Sequence, residues 1–225
     1  MIELHEAVVE YRSGTRIGPL DLRLDRESMV WLTGPNGSGK TTLLELAAGR
    51  LRPSAGVVVR PPRREALAVL PQQNRYHDQV PVRVEDVVGF AALASGWRRR
   101  PDRKVIGQAL ERAGASGLSG RLVRELSGGQ RQLVQIARLL AQQAEFWLLD
   151  EPLAGLDPQW RRRMLDLVDS VRRENGVGML VVSHLHEELP EECRRVLVLD
   201  GGKLVADGAP GQVFGATAAT AGREA

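Results

Sequence analysis

The chain has 225 residues, 43% of them hydrophobic, which suits one well-buried domain better than two. Its 31 basic and 28 acidic residues give a formal net charge of only +3, so the charge balance does not indicate a nucleic-acid partner. No apolar run approaches the roughly 18–20 residues of a membrane helix, the start lacks a secretory-signal pattern, and the single cysteine excludes an intramolecular disulfide. We therefore expect one globular unit in the cytoplasm.

The first third of the chain predicts strands around one helix. Residues 1–25 alternate apolar and polar side chains between turn residues, which predicts antiparallel strands at an edge of the domain. Met29–Thr33 predicts a buried strand, and the helix after it is expected to run from Thr41 to Gly49. Two further short strands are expected at Val57–Val59 and Ala66–Leu70.

The middle of the chain has helical periodicity. Apolar residues recur at helical spacing from Val82 onward, and a second helix is expected near Lys104 to Ala113 after a Gly96-Trp-Arg-Arg-Arg-Pro interruption. Together with the helix that begins near residue 129, this predicts an α-helical insertion at about 80–140 within the single domain, 1–225.

The second half alternates strands and helices. The expected elements are strands at Phe146–Leu149, Met179–Val182 and Val196–Leu199, with helices at about 129–142 and 159–174. Such alternation predicts an α/β fold with a mostly parallel sheet. Small residues dominate 216–225, so this tail is expected to be frayed and flexible or only loosely helical.

The segment after the first buried strand matches the eight-position phosphate loop: Gly34, Pro35, Asn36, Gly37, Ser38, Gly39, Lys40 and Thr41. Glycines let backbone N–H groups turn toward phosphate oxygens, and the helix N-terminus adds its positive end. Lys40 is expected to reach the terminal phosphates, Thr41 to hold Mg²⁺, and Thr42 to lie beside the nucleotide. The loop alone predicts nucleotide binding.

Two carboxylates, Asp150 and Glu151, follow the buried strand Phe146–Leu149. Open α/β sheets bind ligands at the carboxyl ends of their strands, which is where these side chains are expected. Asp150 would orient the Mg²⁺ shell, and Glu151 would polarise a water for in-line attack on the γ-phosphate. A strand ending in two acids is common by itself, but its pairing with a phosphate loop favours the catalytic interpretation.

Leu126-Ser127-Gly128-Gly129-Gln130 resembles the signature pentapeptide of the ATP-binding-cassette ATPases. Physically it offers a hydroxyl and two glycines at a helix start, which is a second anion cradle, and a simple helix N-cap is the structural alternative. The resemblance covers nearly the whole chain. It implies a P-loop NTPase-type core, mostly parallel, with an N-terminal antiparallel β subdomain and an inserted helical subdomain. It also implies that Ser127, Gly128, Gly129 and Gln130 face the γ-phosphate held by another subunit.

Four further residues take roles from this resemblance. Tyr11 matches the aromatic that stacks on adenine, with a buried strand aromatic as the alternative. Gln72 matches the glutamine that touches Mg²⁺ and the attacking water, and Gln73 is a second candidate. Asp157 lies where similar ATPases pass signals across the dimer, unless it is a plain turn. His184 matches the histidine that contacts the γ-phosphate, with a core histidine as the alternative.

The resemblance implies an ATPase that closes with a second copy or a homologous cassette around ATP and Mg²⁺. It further implies a separate transmembrane permease subunit, with the cassette lying peripherally on the cytoplasmic face of the membrane. Val82–Val88 is similar to the segment that accepts a coupling helix, most closely in importers of metal ions, metal chelates or haem.

Two departures from the family pattern leave the subfamily open. His184 is followed by Leu185 where many importers carry aspartate, and the strand before the phosphate loop begins at Arg26-Glu-Ser-Met without the common glycine. A soluble cassette ATPase in cluster assembly or repair, and a small exporter, therefore remain alternatives. A phosphate-loop kinase or GTPase is disfavoured by the signature pentapeptide.

Overall fold

The computed structural model describes residues 1–63, 66–72, 81–93, 102–183, 189–190 and 193–221. In chain order the strands are β1 (Ile2–Glu10), β2 (Arg16–Leu24), β3 (Met29–Thr33), β4 (Ala55–Val59), β5 (Leu67–Leu70), β6 (Phe146–Asp150), β7 (Gly178–Val182), β8 (Arg195–Asp200) and β9 (Lys203–Gly208). The helices are α1 (Lys40–Ala48), α2 (Val84–Leu93), α3 (Arg103–Arg112), α4 (Gly128–Gln142), α5 (Pro158–Asn175) and α6 (Pro210–Ala221). Short 3₁₀ turns at Ser116–Leu118 and Val123–Glu125 precede α4.

The N-terminal strands form an antiparallel sheet in the order β2-β1-β4. Strand β2 buries every second side chain from Leu20 to Leu24 and exposes those between, the pattern of a sheet with one covered face. Its covered face packs with apolar residues of α1 and of the second sheet in one hydrophobic cluster. The sheet thereby forms a layer over the phosphate-loop helix.

The second sheet has the order β5-β6-β7-β3-β8-β9 and is parallel except for the β8–β9 pair. Every residue of β3, β6 and β7 is buried, which explains their continuous apolar sequences, since both faces of the sheet are covered. The carboxyl ends of β3, β6 and β7 lie side by side at one edge of the sheet. The loops that leave this edge carry the candidate site.

Helices α2 and α3 pack against α4 and form the helical insertion. The apolar faces of these helices are buried in one cluster with one face of the parallel sheet. Helix α4 is strongly amphipathic, with Leu133, Val134, Ile136 and Ala137 buried, because apolar side chains recur on the face that meets the sheet. No helix within the described ranges is long and apolar enough to span a membrane.

The architecture confirms the predicted fold class: an α/β core with a mostly parallel sheet, an antiparallel β layer and a helical insertion. Strand β9 was missing from the sequence-based elements because its residues are exposed or half-buried and carry no continuous apolar run. Helix α6 extends to Ala221, beyond residue 216, where composition predicts a loose tail. The Lys104–Ala113 helix is α3, one residue shifted at each end.

Candidate functional site

The phosphate loop leaves the end of β3 and enters α1 through left-handed glycines. Gly34, Gly37 and Gly39 have φ values of 142°, 79° and 106°, a region that side chains rarely tolerate. A Cβ on Gly34 would also collide with the carbonyl oxygen of Leu199 on β8. This glycine is therefore required both by backbone conformation and by the closeness of the neighbouring strand.

The start of α1 suits an anion. Gly39 is the N-cap and supplies no side-chain acceptor, and the first turn holds no acidic residue. First-turn N–H groups of a helix have no intrahelical acceptor and carry the positive end of the helix dipole. The hydroxyl of Ser38 is buried and has no hydrogen-bond partner among the described residues. A phosphate oxygen would satisfy these donors, so the loop fits the ATP that its sequence predicts.

Lys40 lies in the mouth of this loop. The residue is only 7% exposed, and its Nζ donates to the carbonyl oxygens of Gly34 and Pro35, each at 2.8 Å. Burial lowers the pKa of the Lys40 ammonium, while the negative charges of Glu151 and Asp150 act in the opposite direction. The side chain is thus a cation poised between loop carbonyls and two carboxylates.

Asp150 ends β6 and joins it to α1. Its Oδ2 accepts a hydrogen bond from Thr41 Oγ1 at 3.2 Å, and the residue is only 4% exposed. Burial raises the pKa of the Asp150 carboxyl, the Thr41 bond lowers it, and the nearby Glu151 charge raises it further. A hydroxyl and a carboxylate oxygen at this separation are hard ligands of the kind Mg²⁺ prefers, so the pair fits that ion.

Gln72 and Glu151 meet at the same edge of the sheet. Gln72 follows β5, Glu151 follows β6, and these strands are parallel neighbours. Gln72 Nε2 donates to Glu151 Oε2 at 2.8 Å. Glu151 has a positive φ of 49° and donates its N–H to Val182 O, so the chain turns sharply as it leaves the sheet. The structure therefore brings Gln72 and Glu151 together beside Asp150.

Tyr11 follows the end of β1 and is 41% exposed. Its hydroxyl shares a hydrogen bond of 2.8 Å with Thr42 Oγ1, on the helix that follows the phosphate loop. The ring is therefore an exposed surface beside α1, and not a buried strand aromatic. This placement ties the residue predicted to contact adenine to the first turn of α1.

Ser127 and Gln130 cap helix α4. Ser127 Oγ accepts from Gln130 N at 3.3 Å, and Gln130 Oε1 accepts from Ser127 N at 3.1 Å, a reciprocal capping box. Gly128 and Gly129 are the first two residues of the helix. Among the described hydrogen bonds of these four residues, none reaches the phosphate loop or the carboxylates of the same chain.

Of the remaining predicted site residues, the structure describes Asp157 but not His184 or Gln73. Asp157 caps α5, where its Oδ1 accepts from Trp160 N at 2.9 Å. His184 and the alternative glutamine, Gln73, lie outside the described residues. Ser183, directly before His184, is buried at the end of β7 and donates its N–H to Leu32 O at 3.1 Å.

One contact was not foreseen from the sequence. Gln132 Nε2, near the start of α4, donates at 2.6 Å to the carbonyl oxygen of Pro152, the residue after Glu151. The only sequence signal is a polar residue beside the apolar face of an amphipathic helix. That signal does not identify the partner, because the contact depends on how the helical insertion packs on the core.

The chain is also similar to known proteins, which is evidence independent of the site geometry. The family model described as ABC transporter matches residues 17–154. The chain is 36% identical over 197 residues to the thiamine import ATP-binding protein ThiQ of Chelativorans sp., covering 84% of this chain and 79% of that protein. It is 35% identical over 229 residues to the hemin import ATP-binding protein HmuV of Pseudomonas aeruginosa, covering 95% and 89%.

A solved structure of similar fold is CbiO1 from Clostridium perfringens, described as part of the ABC transporter complex CbiONQ. It has a TM-score of 0.83 and 27% sequence identity, with 96% of this chain and 91% of that chain covered. The family match spans the phosphate loop, both site carboxylates and the signature pentapeptide. The chain therefore belongs to the ABC transporter family, as an ATP-binding subunit whose ATPase activity is coupled to transport.

Proposed function

We propose that two such cassettes close head to tail around two ATP molecules and drive an importer whose transmembrane subunit is a separate chain. The observation that carries this proposal is the division of the site. Lys40, Thr41, Asp150, Glu151 and Gln72 are gathered at one sheet edge, whereas the hydrogen bonds of the signature segment stay within its own helix start. A second subunit would bring a signature segment to each phosphate loop.

In this mechanism each cassette binds ATP on its own phosphate loop. The α1 amides, the Ser38 hydroxyl and Lys40 hold the phosphates. Tyr11 stacks on adenine, and its hydroxyl bond to Thr42 keeps the ring beside the loop. Thr41, Asp150 and Gln72 would hold Mg²⁺, which when bound would neutralise charge on the phosphates.

Glu151 carries the hydrolytic step. It orients a water and accepts its proton as the water attacks the γ-phosphorus, and the bond to the bridging oxygen breaks to release ADP. The Gln72 bond at 2.8 Å fixes the Glu151 carboxylate in orientation. His184, which follows β7 in the sequence, is the residue we propose to contact the γ-phosphate.

The partner cassette supplies the second half of the site. Ser127, Gly128, Gly129 and Gln130 present a hydroxyl and helix-start N–H groups to the γ-phosphate across the interface. Asp157, which is exposed and caps the start of α5, passes the state of one site to the other. ATP is thus contacted by both subunits and holds them together, and its hydrolysis allows them to separate.

The membrane partner docks on the helical insertion. Val82–Val88 includes the start of α2, and Phe90 on this helix is 68% exposed, an apolar surface suited to a permease segment. Docking there places the cassette peripherally on the cytoplasmic face of the membrane. No nucleic-acid partner is proposed, since the charge is nearly balanced.

The proposed cargo is a metal ion, a metal chelate or haem. In support, the Pseudomonas aeruginosa relative, which aligns over 95% of this chain, is named for hemin import. Relatives named for thiamine import are as similar in identity, 36% over 84% of the chain for the Chelativorans protein. Thiamine is therefore the competing cargo in any transport assay.

The Glu151→Gln variant tests the mechanism. It is isosteric but cannot accept a proton, so turnover should fall by about 10²–10⁴-fold while ATP binding is kept. With saturating ATP and Mg²⁺ it should elute as a dimer in size-exclusion chromatography, and without nucleotide as a monomer. A variant that stays monomeric under these conditions would contradict the head-to-tail closure.

The same variant, tagged in its native cell, tests the membrane partner. Mild detergent extraction should copurify a polytopic membrane protein in near-equal amount. Recovery of cytosolic partners alone would overturn the transport coupling and support a soluble cassette ATPase, with the ATPase chemistry unaffected. Uptake assays with haem, metal chelates and thiamine in a strain lacking this chain then assign the cargo.

A further inference from the structure

We infer, on the basis of the dimer proposed above, that Trp160 is a positioning residue for the signature cradle. Its indole ring holds the start of α4 against the segment that carries Glu151 and Asp157. The cradle presented to the partner's nucleotide would therefore be set in place by the same segment that supplies the water-activating carboxylate to the subunit's own nucleotide.

The ring lies directly on Gly129. A Cβ on this glycine would come within 3.3–3.5 Å of the indole atoms Cδ2, Cε2 and Cγ of Trp160. Gly129 has ordinary helical geometry, since it is absent from the positive-φ residues described. A glycine inside a helix is unfavourable by about 0.5–1 kcal/mol relative to alanine, so its presence here needs another reason. Close packing of the Trp160 ring supplies one.

Trp160 is itself held on its own helix. Its backbone N–H donates to Asp157 Oδ1 at 2.9 Å, which closes the cap of α5. The guanidinium of Arg163 lies 5.4 Å from the ring centroid, and Arg163 Nη2 also lies against Gly114 at the end of α3. The ring thus packs between Arg163 of its own helix, which also reaches Gly114 after α3, and Gly129 at the start of α4.

A second contact also joins the start of α4 to the segment that follows Glu151. Gln132 Nε2 donates to Pro152 O at 2.6 Å, one residue after Glu151. Arg161 Nε donates to Leu156 O at 2.8 Å, which braces the turn before Asp157. The start of α4 is therefore joined to the Glu151–Trp160 segment at two points, by Gly129 against Trp160 and by Gln132 on Pro152.

The expected consequence is selective. Removing the ring leaves the phosphate loop untouched, so a cassette's own affinity for ATP is kept. The signature start loses one of its two attachments, which misplaces Ser127 and Gly129 relative to the partner's γ-phosphate. Turnover and ATP-driven closure should fall, whereas KM for ATP stays near its original value.

The test compares Trp160→Ala, Trp160→Phe and the control Arg162→Ala, an exposed residue of the same helix. We expect Trp160→Ala to lower kcat about tenfold with unchanged binding of a fluorescent ATP analogue to the isolated subunit. In a Glu151→Gln background it should weaken ATP-driven dimerisation. Trp160→Phe retains a flat aromatic ring and should keep most of the parental kcat and most of the ATP-driven dimerisation. Arg162→Ala should match the parent chain in both properties.

The outcomes separate this inference from the dimer itself. Failure of Glu151→Gln alone to dimerise breaks the proposed function. Dimerisation of the Glu151→Gln, Trp160→Ala double variant with parental affinity overturns the role of Trp160 only. A parallel loss of ATP-analogue binding would also overturn it, because that result indicates general damage to the fold. If circular dichroism shows Trp160→Ala unfolded, Trp160→Leu takes its place, and a parental kcat in that variant overturns the inference.

Discussion

The phosphate-loop edge and the signature segment are both expected to hold phosphate oxygens, yet they are built differently. At the sheet edge, Thr41 reaches Asp150 and Gln72 reaches Glu151, so groups from α1, β5 and β6 depend on one another. At the signature, Ser127 and Gln130 satisfy each other within one helix turn. The hydrogen bonds of the first region therefore join distant segments, whereas those of Ser127 and Gln130 stay within one helix turn, beside the tertiary contact of Gly129 with Trp160.

Burial follows the same division. Lys40 and Asp150 are 7% and 4% exposed, and burial shifts the pKa of each group against its charged form. Ser127 and Gly128 are exposed. The phosphate-loop edge has to stabilise charges that the protein interior disfavours. The signature segment is exposed, so it carries no such cost and is accessible to a partner subunit. Neutralising a buried charge at the phosphate-loop edge should therefore lower activity without lowering stability. Removing the cap at the signature segment should lower both.

The largest effect is expected from Asp150→Asn. The amide cannot supply a charged ligand, so turnover should fall by at least about 100-fold, and the residual activity should need a higher Mg²⁺ concentration. Because burial disfavours the Asp150 carboxylate, thermal unfolding without nucleotide should be unchanged or move to higher temperature. ATPase assays over an Mg²⁺ series and calorimetry of the same preparation measure both. A large fall in melting temperature would show that the carboxylate holds the fold together.

An intermediate effect is expected at Ser127, where two substitutions separate capping from catalysis. Ser127→Ala removes the acceptor for Gln130 N and should lower unfolding free energy by about 1 kcal/mol together with turnover. Ser127→Asp keeps a good N-cap, so stability should be retained, but its charge would repel the partner's γ-phosphate and abolish ATP-driven dimerisation. Chemical denaturation and size-exclusion chromatography report the two properties.

The matched pair has a clear contrary result. If Ser127→Asp dimerises with ATP as well as the parent chain does, the signature segment does not face a phosphate. In either variant, binding of ATP by the isolated subunit should stay unchanged. Loss of that binding would place Ser127 in its own chain's site and remove the distinction between the two regions.

The sequence predicts the local parts of both regions well. Spacing along the chain locates them, because β3, the loop from Gly34 and α1 follow one another directly. In the same way, Glu151 directly follows β6, which ends at Asp150. The fold class follows from the alternation of strands and helices. These features depend on short-range patterns that one sequence contains in full.

Contacts between distant segments could not be predicted in the same way. The Gln72–Glu151 bond requires β5 and β6 to be neighbours, and the closeness of Leu199 on β8 is a second reason, besides its positive φ, for glycine at position 34. Residues 72 and 151 come together only through sheet order, which the sequence does not display. The position of His184 stays a prediction, since it lies outside the described residues.

The smallest effect is expected at Tyr11, which lies at the sheet-edge region but is exposed like the signature. Tyr11→Phe keeps the ring and removes only the hydroxyl bond to Thr42, so KM for ATP should rise by about two- to fivefold with kcat unchanged. Tyr11→Ala removes the stacking surface and should raise KM further, by about tenfold. Steady-state kinetics with ATP and GTP measure both variants. Equal KM values for all three chains would mean that the ring does not contact the base, and the base would then be held by other residues.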